Sequence, residues 1–198
     1  MFACLKLNMK NIILFGKPGA GKGTQAALLR DAFQLIHIST GDLFRYNIGN
    51  NTSLGALAKS YMDKGDLVPD EVTIKMLEAE VDANPDAGGF IFDGFPRTAK
   101  QAEALDEFLH AKDMTIQATI ALEVDEQILI NRLLKRGKDS GRADDQDEEK
   151  IRNRFVEYNN KTAPLINYYK TQNKFHSVEG VGTVTEISEQ LIALLHSL

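Results

Sequence analysis

Residues Ile12 to Thr24 read IILFGKPGAGKGT: a short apolar run, then four glycines and one proline around two lysines. The run is short, branched and aromatic enough to be a buried strand. A glycine-rich turn that leaves such a strand and enters a helix near Gly21 aims successive backbone N–H groups and the positive helix end at one point. That arrangement suits phosphate. Lys22 adds a mobile charge for the outer phosphates. The spacing of Gly16, Gly21 and Lys22 follows G-x-x-x-x-G-K, while Gly23 stands where a hydroxyl residue usually comes and Thr24 follows one place later. A glycine turn with no ligand is the plainer alternative; the strand before and the helix after favour a nucleoside triphosphate tail.

Outward from this loop, short apolar runs alternate with longer helical patterns. Strands are expected at Ile12 to Phe15, Leu35 to Ile38, Phe90 to Phe92, Ile116 to Val124 and Lys174 to Val178. Between them, Val72, Met76, Ala79 and Ala83, and later Val184, Ile187, Leu191 and Leu194, repeat at helical spacing and are expected to face a sheet. Alternation of this kind builds βαβ units: an α/β fold whose parallel sheet carries helices on both faces. Two regions interrupt it and read as excursions from the core. One is Ser39 to Val68, helical but rich in Gly, Asn and Ser; the other is the charged stretch Gly137 to Glu149.

Composition bounds the function. The 198 residues are 43% hydrophobic and 26% charged, enough for one core with small excursions and no second full domain. A formal net charge of −5 disfavours a broad basic surface for nucleic acid, so positive charge has to be focused. The single cysteine, Cys4, allows no internal disulfide and no multi-thiolate zinc site. The start, MFACLKLNMK, is interrupted by Lys6 and Lys10 and does not read as a signal peptide, and no apolar stretch approaches the ~20 residues of a membrane span. A cytoplasmic location is expected. Met9 is an alternative start, with eight residues upstream of it.

Three further stretches stand with the loop: STGDLFR at Ser39 to Arg45, DGFPRTAKQ at Asp93 to Gln101 and GRADD at Gly141 to Asp145, followed by KTAPLINYY at Lys161 to Tyr169. Together with G-x-P-G-x-G-K-G-T, they resemble the adenylate kinases among the nucleoside monophosphate kinases, from end to end except for about the first eight residues. The resemblance implies a P-loop three-layer fold with a five-stranded parallel sheet in one domain over 1–198, transfer of a phosphoryl group from Mg-ATP to AMP, and a monomer. It also implies two mobile parts, a nucleoside monophosphate region at 39–68 and a lid at 136–146. Only GKDSG separates Arg136 from Arg142, so the lid is the short form, without zinc. Gly137 and Gly141 bracket it as candidate hinges.

Site residues follow from the resemblance. ATP is expected against Gly19, Ala20, Gly21, Lys22, Gly23 and Thr24, with Arg132, Arg136 and the backbone of Gly182. Arg132 and Arg136 are four apart and share one helix face over Glu126 to Arg136. AMP is expected against Thr40 and Gln101 for the base, Arg45 for the phosphate, and Met62 with Asp66, Leu67 and Val68 as a wall. Gly94, Phe95 and Pro96 complete that side. Arg97, Arg142 and Arg154 are expected on the AMP phosphate and the transferring group, whereas Arg152 reads as a surface charge. Asp93 ends an apolar strand, where it holds Mg2+ through water or caps the following turn. Asp66 stands where a basic residue is common, and Lys17 where a small one is; the preferred reading of Lys17 is a side chain facing water. Between Asp144 and Arg154 the chain is one residue longer than the common short pattern, which touches Asp145 and Gln146.

Two rivals remain. A UMP/CMP kinase shares the loop and short lid, but usually carries a small apolar residue and an asparagine where Thr40 and Gln101 stand here. A non-catalytic ATP-binding switch protein would keep the loop without needing Arg97, Arg142 and Arg154 together.

Overall fold

The computed structural model describes residues 10–198; the readings placed on Cys4, Lys6 and Met9 fall outside them. Five strands form one parallel sheet: β1 (Asn11–Phe15), β2 (Ile36–Ser39), β3 (Phe90–Asp93), β4 (Ile116–Glu123) and β5 (Phe175–Glu179). Their order is β2-β3-β1-β4-β5, with β1 central. Strands are therefore added first on one side of β1 and then on the other, and open α/β sheets gather ligands beyond their carboxyl ends at such a switch of strand order.

Helices cover both faces: α1 (Lys22–Phe33), α2 (Thr40–Gly49), α3 (Ser53–Met62), α4 (Asp70–Asp82), α5 (Ala99–His110), α6 (Glu126–Ser140), α7 (Glu148–Glu157), α8 (Leu165–Lys170) and α9 (Val184–Ser197). A 3-10 turn, Ala143–Asp145, precedes α7, and a π-helical turn, Tyr158–Thr162, joins α7 to α8. Period-two alternation in β1 feeds two cores. Ile12 and Leu14 pack with Leu29 of α1, Leu133 of α6 and Leu191 of α9, while Ile13 and Phe15 pack with Leu77 of α4, Leu105 of α5 and Tyr169 of α8.

At the start of β1 a polar residue sits fully buried and fully used. The Asn11 side chain donates to the Thr115 carbonyl (3.0 Å) and accepts from the Phe90 N–H (3.1 Å), tying the strand to both neighbours. Because buried polar groups cost free energy unless paired, this amide pins the β3-β1-β4 register.

The five expected strands all form, with ends shifted by one residue in places. Leu35 lies outside β2 because its N–H closes the end of α1 on the Arg30 carbonyl. The stripe expected on α4 differs more. Thr73, Leu77 and Val81 are the buried positions, and Ala79 and Ala83 are exposed. Val72 and Met76 turn away from the sheet to a third cluster built on Phe44, Ala58 and Val68. The helix has two faces to bury, and Thr73, whose hydroxyl donates to the Pro69 carbonyl (3.2 Å), hides the sheet-facing one from a hydropathy pattern. On α9 the buried line is Ile187, Leu191 and Leu195, with Val184 exposed at the helix start.

Candidate active site

The loop after β1 runs into α1 with Gly19 and Gly21 at φ 85° and 96°, left-handed values that side chains disfavour. Gly21 is the N-cap, no side chain caps the helix, and its first turn has no acidic residue. The first N–H groups of α1 thus lack helical acceptors and keep their partial positive charge. Lys22 folds over the loop, its Nζ donating to the carbonyls of Gly16 (2.7 Å) and Lys17 (3.3 Å).

A cleft of about 500 Å³ opens above this loop at the carboxyl ends of the strands. On the loop side it is lined by Gly19, Gly21, Lys22, Gly23 and Thr24. The opposite side presents Thr40, Arg45, Met62, Asp66, Leu67 and Val68, and the floor presents Asp93, Gly94, Pro96, Arg97 and Gln101. Arg136, Arg142 and Arg154 close the ring. Four expected site residues lie off the lining. Ala20 and Phe95 are buried beneath it, 2% and 1% exposed. Arg132 forks onto the Gly180 carbonyl, both terminal nitrogens at 3.2 Å, and so braces the loop that carries Gly182 rather than reaching into the cleft. The geometry that puts Arg132 and Arg136 on one helix face leaves their tips apart, because the β5–α9 loop lies beside residue 132.

The charges in the cleft set one another's protonation. Burial lowers the Lys22 ammonium to about 8; Asp93 opposes that, and Arg97, Arg154 and Arg136 add to it. Burial and the neighbouring Arg154 likewise lower Arg97 to about 10, and Arg142 is lowered by burial and by Arg45 and Arg136. These are cations crowded together out of water, a state that an anion relieves. Asp93 carries the opposite charge at the end of β3, its Oδ2 3.5 Å from His37 Nε2. Burial pushes its carboxyl up, but His37, Lys22 and Arg97 together hold it below the usual carboxylate range.

Asp93 is the buried carboxylate next to the phosphate loop, and among the described residues no group of three or more His, Cys, Asp or Glu could enclose an ion. One buried carboxylate beside a phosphate loop fits a Mg2+ that keeps most of its water and shares phosphate oxygens, and does not fit an all-protein cage. Gly23 abuts it; a Cβ there would sit 3.4 Å from Asp93 Oδ2.

On the lid side the structure revises the sequence reading of the hinges. Helix α6 continues to Ser140, so Gly137 is inside a helix and buried. A Cβ at residue 137 would come within 2.6 Å of the Asp145 carbonyl oxygen, so glycine is required there for close approach. Gly141, at φ 69°, ends the helix. Asp145, fully buried, accepts from Arg136 Nε (2.6 Å) and Arg154 (2.7 Å). Lys17 turns from the cleft instead of facing free solvent: its Nζ pairs with Glu126 at the start of α6 (2.5 Å).

Several contributing residues escaped the sequence reading. Asp42 binds Arg45 (2.6 Å) and lies 3.6 Å from Arg142; the i, i+3 spacing of Asp42 and Arg45 was the available signal. His37 and Thr162, whose hydroxyl donates to the Arg97 carbonyl (3.0 Å), gave none. Neither did Asp70, which accepts from Gln101 Nε2 (2.8 Å) across 31 residues.

Comparison with known proteins agrees with this geometry. A family model described as Adenylate kinase matches residues 14–174. An adenylate kinase of Flavobacterium psychrophilum is 65% identical over 96% of this chain and 100% of its own length. One of Flavobacterium johnsoniae is 60% identical over the same shares. One of Mycobacteroides abscessus is 52% identical over 89% of this chain and 93% of its own length. A phosphate loop at the switch of a five-stranded parallel sheet, ringed by arginines and matched along nearly its whole length by these relatives, leaves one assignment: the chain belongs to the adenylate kinase family.

Proposed function

We propose that this chain transfers the γ-phosphoryl group of ATP reversibly to AMP, giving two ADP, and so serves adenine nucleotide homeostasis and purine salvage. The observation that carries the reading is the crowding of Lys22, Arg97, Arg136, Arg142 and Arg154 around an uncapped helix N-terminus, with Lys22 lowered to about 8. Cations gathered this way, with Lys22 and Arg97 out of water and Arg136 and Arg154 oriented by Asp145, are preorganised for the spread negative charge of a transferring phosphoryl group.

In this reading the loop N–H groups and Lys22 cradle the outer phosphates of ATP, and Arg136 and Arg154 flank the γ-phosphoryl. Arg132 acts on the ATP side through the Gly180 to Gly182 loop. Arg45 and Arg97 grip the AMP phosphate, while Thr40, Gln101, Met62 and residues 66–68 enclose its base. An AMP phosphate oxygen forms the new bond to the γ-phosphorus as the bridging oxygen leaves with ADP. That oxygen is already anionic, so no general base is needed, and positioning with charge neutralisation does the work. Adenylate kinases work with Mg2+ and ATP; here Asp93 would hold the ion through water, and the ion would neutralise phosphate charge. Residues 39–68 and 136–146 act as two covers that exclude water and so protect ATP from hydrolysis. No described helix is long and apolar enough to cross a membrane. The family resemblance and the short lid support reading the chain as a cytoplasmic monomer acting on ATP, AMP and ADP without zinc, and the net charge of −5 supports no nucleic-acid partner.

A coupled assay with ATP and each of AMP, UMP, CMP and GMP tests the assignment, and AMP is expected to dominate. Lys22→Ala is expected to lower kcat/KM by roughly a thousandfold or more with melting temperature unchanged. A preference for UMP or CMP, or a fully active Lys22→Ala, would overturn the reading.

A further inference from the structure

The Gln101 amide is 1% exposed and held at both ends. Its Oε1 accepts from the Arg97 backbone N–H (2.8 Å), and its Nε2 donates to Asp70 Oδ1 (2.8 Å). The other oxygen of Asp70 accepts from the Thr98 hydroxyl (2.9 Å), and that same hydroxyl accepts from the Gln101 N–H (3.2 Å). Asp70 opens α4, Thr98 caps α5, and the network locks the two helix starts together.

The chemistry of these partners removes a choice that a glutamine normally keeps. An amide can turn by half a rotation, exchanging its donor and acceptor ends at little cost in shape. Here a peptide N–H can only donate and an ionised carboxylate can only accept. Turning the amide over would set N–H against N–H and oxygen against carboxylate, losing two hydrogen bonds in a buried place. The side chain therefore has one orientation, with one N–H and one lone pair left for the cleft that it lines.

We propose that Asp70 is the positioning residue that sets base selectivity, by fixing which way the Gln101 amide faces the acceptor nucleotide. This rests on the reading above that Gln101 meets the acceptor base. Adenine offers an acceptor at N1 beside a donor at N6, which the spare N–H and lone pair of a fixed amide complement. Hypoxanthine and guanine reverse that edge, with N1–H beside O6, and match only an amide turned over. Binding a reversed base would leave buried polar groups facing their like, the situation that gives polar sites their discrimination. Asp70 touches no base. Together with the Arg97 N–H it denies Gln101 its second orientation, Asp70 being the side chain that fixes the donor end.

The test compares kcat/KM for AMP with that for inosine monophosphate, ATP being the donor, in the full chain. Inosine monophosphate keeps the shape of AMP and reverses the edge. In Asp70→Ala the preference for AMP is expected to fall by roughly tenfold or more, through a rise in KM for AMP and a gain with inosine monophosphate, with kcat for AMP changed less. Asp70→Asn, whose oxygen can still face Nε2, is expected to restore the preference. Should Asp70→Ala fail to fold, Asp70→Ser keeps a helix-starting hydroxyl one bond too short for the carboxylate's role and is expected to show the same loss. Gln101→Leu separates the two layers of the argument. If it keeps the wild-type preference, Gln101 does not read the base and the site assignment itself falls. A loss in Gln101→Leu with full preference retained in the folded Asp70→Ala or Asp70→Ser variant overturns the role of Asp70 alone.

Discussion

Residues 39–68 and 136–146, proposed above as covers of the cleft, are built on different physics. Residues 39–68 carry an apolar cluster of their own: Phe44, Ala58 and Val68 are buried, and Val72 and Met76 of α4 pack against them. The stretch 136–146 has no such cluster; it is organised around one buried carboxylate, Asp145, gripped by Arg136 and Arg154. An apolar cover can close without involving the chemistry. The ionic stretch is held in place by Arg136 and Arg154, which also line the cleft, so its shape and the electrostatics of the cleft are set by the same side chains.

The difference is sharpest at Arg142, where the largest effect is expected. Arg142 lies 3.6 Å from Asp42, between the two proposed covers, and in the proposed reading its charge reaches the reacting phosphates fully only when both close. Arg142→Ala should lower kcat by roughly a thousandfold with a much smaller change in ATP affinity. Arg152→Ala is the control, since Arg152 pairs with Glu148 one turn away on an exposed face; near-wild-type kcat for Arg142→Ala, or equal damage from Arg152→Ala, would break the contrast.

An intermediate effect is expected from emptying the apolar cover. Phe44→Ala removes its largest fully engaged side chain and should destabilise residues 40–62 by about 3 kcal/mol. Hydrogen exchange should then accelerate there and not in the lid, and KM should rise for AMP while staying level for ATP. Equal acceleration in both covers would show that they are one cooperative unit.

The smallest effect should come from mild acid. Burial pushes the Asp145 carboxyl up, but hydrogen bonds from Arg136 and Arg154 outweigh it and hold the group below its usual value. A depressed folded value means that Asp145 contributes fully above the unfolded carboxylate value, about 3.9, and progressively less as pH falls through the folded one. Exchange in 137–147 should therefore loosen below about pH 4 before that in 40–62 does, and Asp145→Asn should abolish the difference. Simultaneous loosening in the wild type would contradict it.

Much of this was legible in the sequence, for identifiable reasons. The strands were, because β1 and β3 are buried on both faces and carry the unbroken apolar runs IILF and FIF, and β4 stays apolar but for Gln117 and Thr119 until its last residue. The phosphate loop was, because its glycines and Lys22 are adjacent in the chain. What stayed hidden depends on distant partners: Asp70 with Gln101, His37 with Asp93, the Asn11 bridge. Gly137 read only as a hinge because glycine's other use, close packing, here depends on the approach of Asp145, which the chain does not reveal. The stripe on α4 misled because a threonine with a satisfied hydroxyl occupies a core position.

The central place of β1 bears on how the chain is made. This strand comes before both of its neighbours in the chain, residues 90–93 and 116–123, so neither side can be paired until those later segments are made. The phosphate loop hangs from its end and shares that delay. Long-range pairing of this kind slows folding and leaves apolar segments uncovered in the meantime, and here the uncovered segment is Ile12 to Phe15, the strand on which the nucleotide site will be mounted.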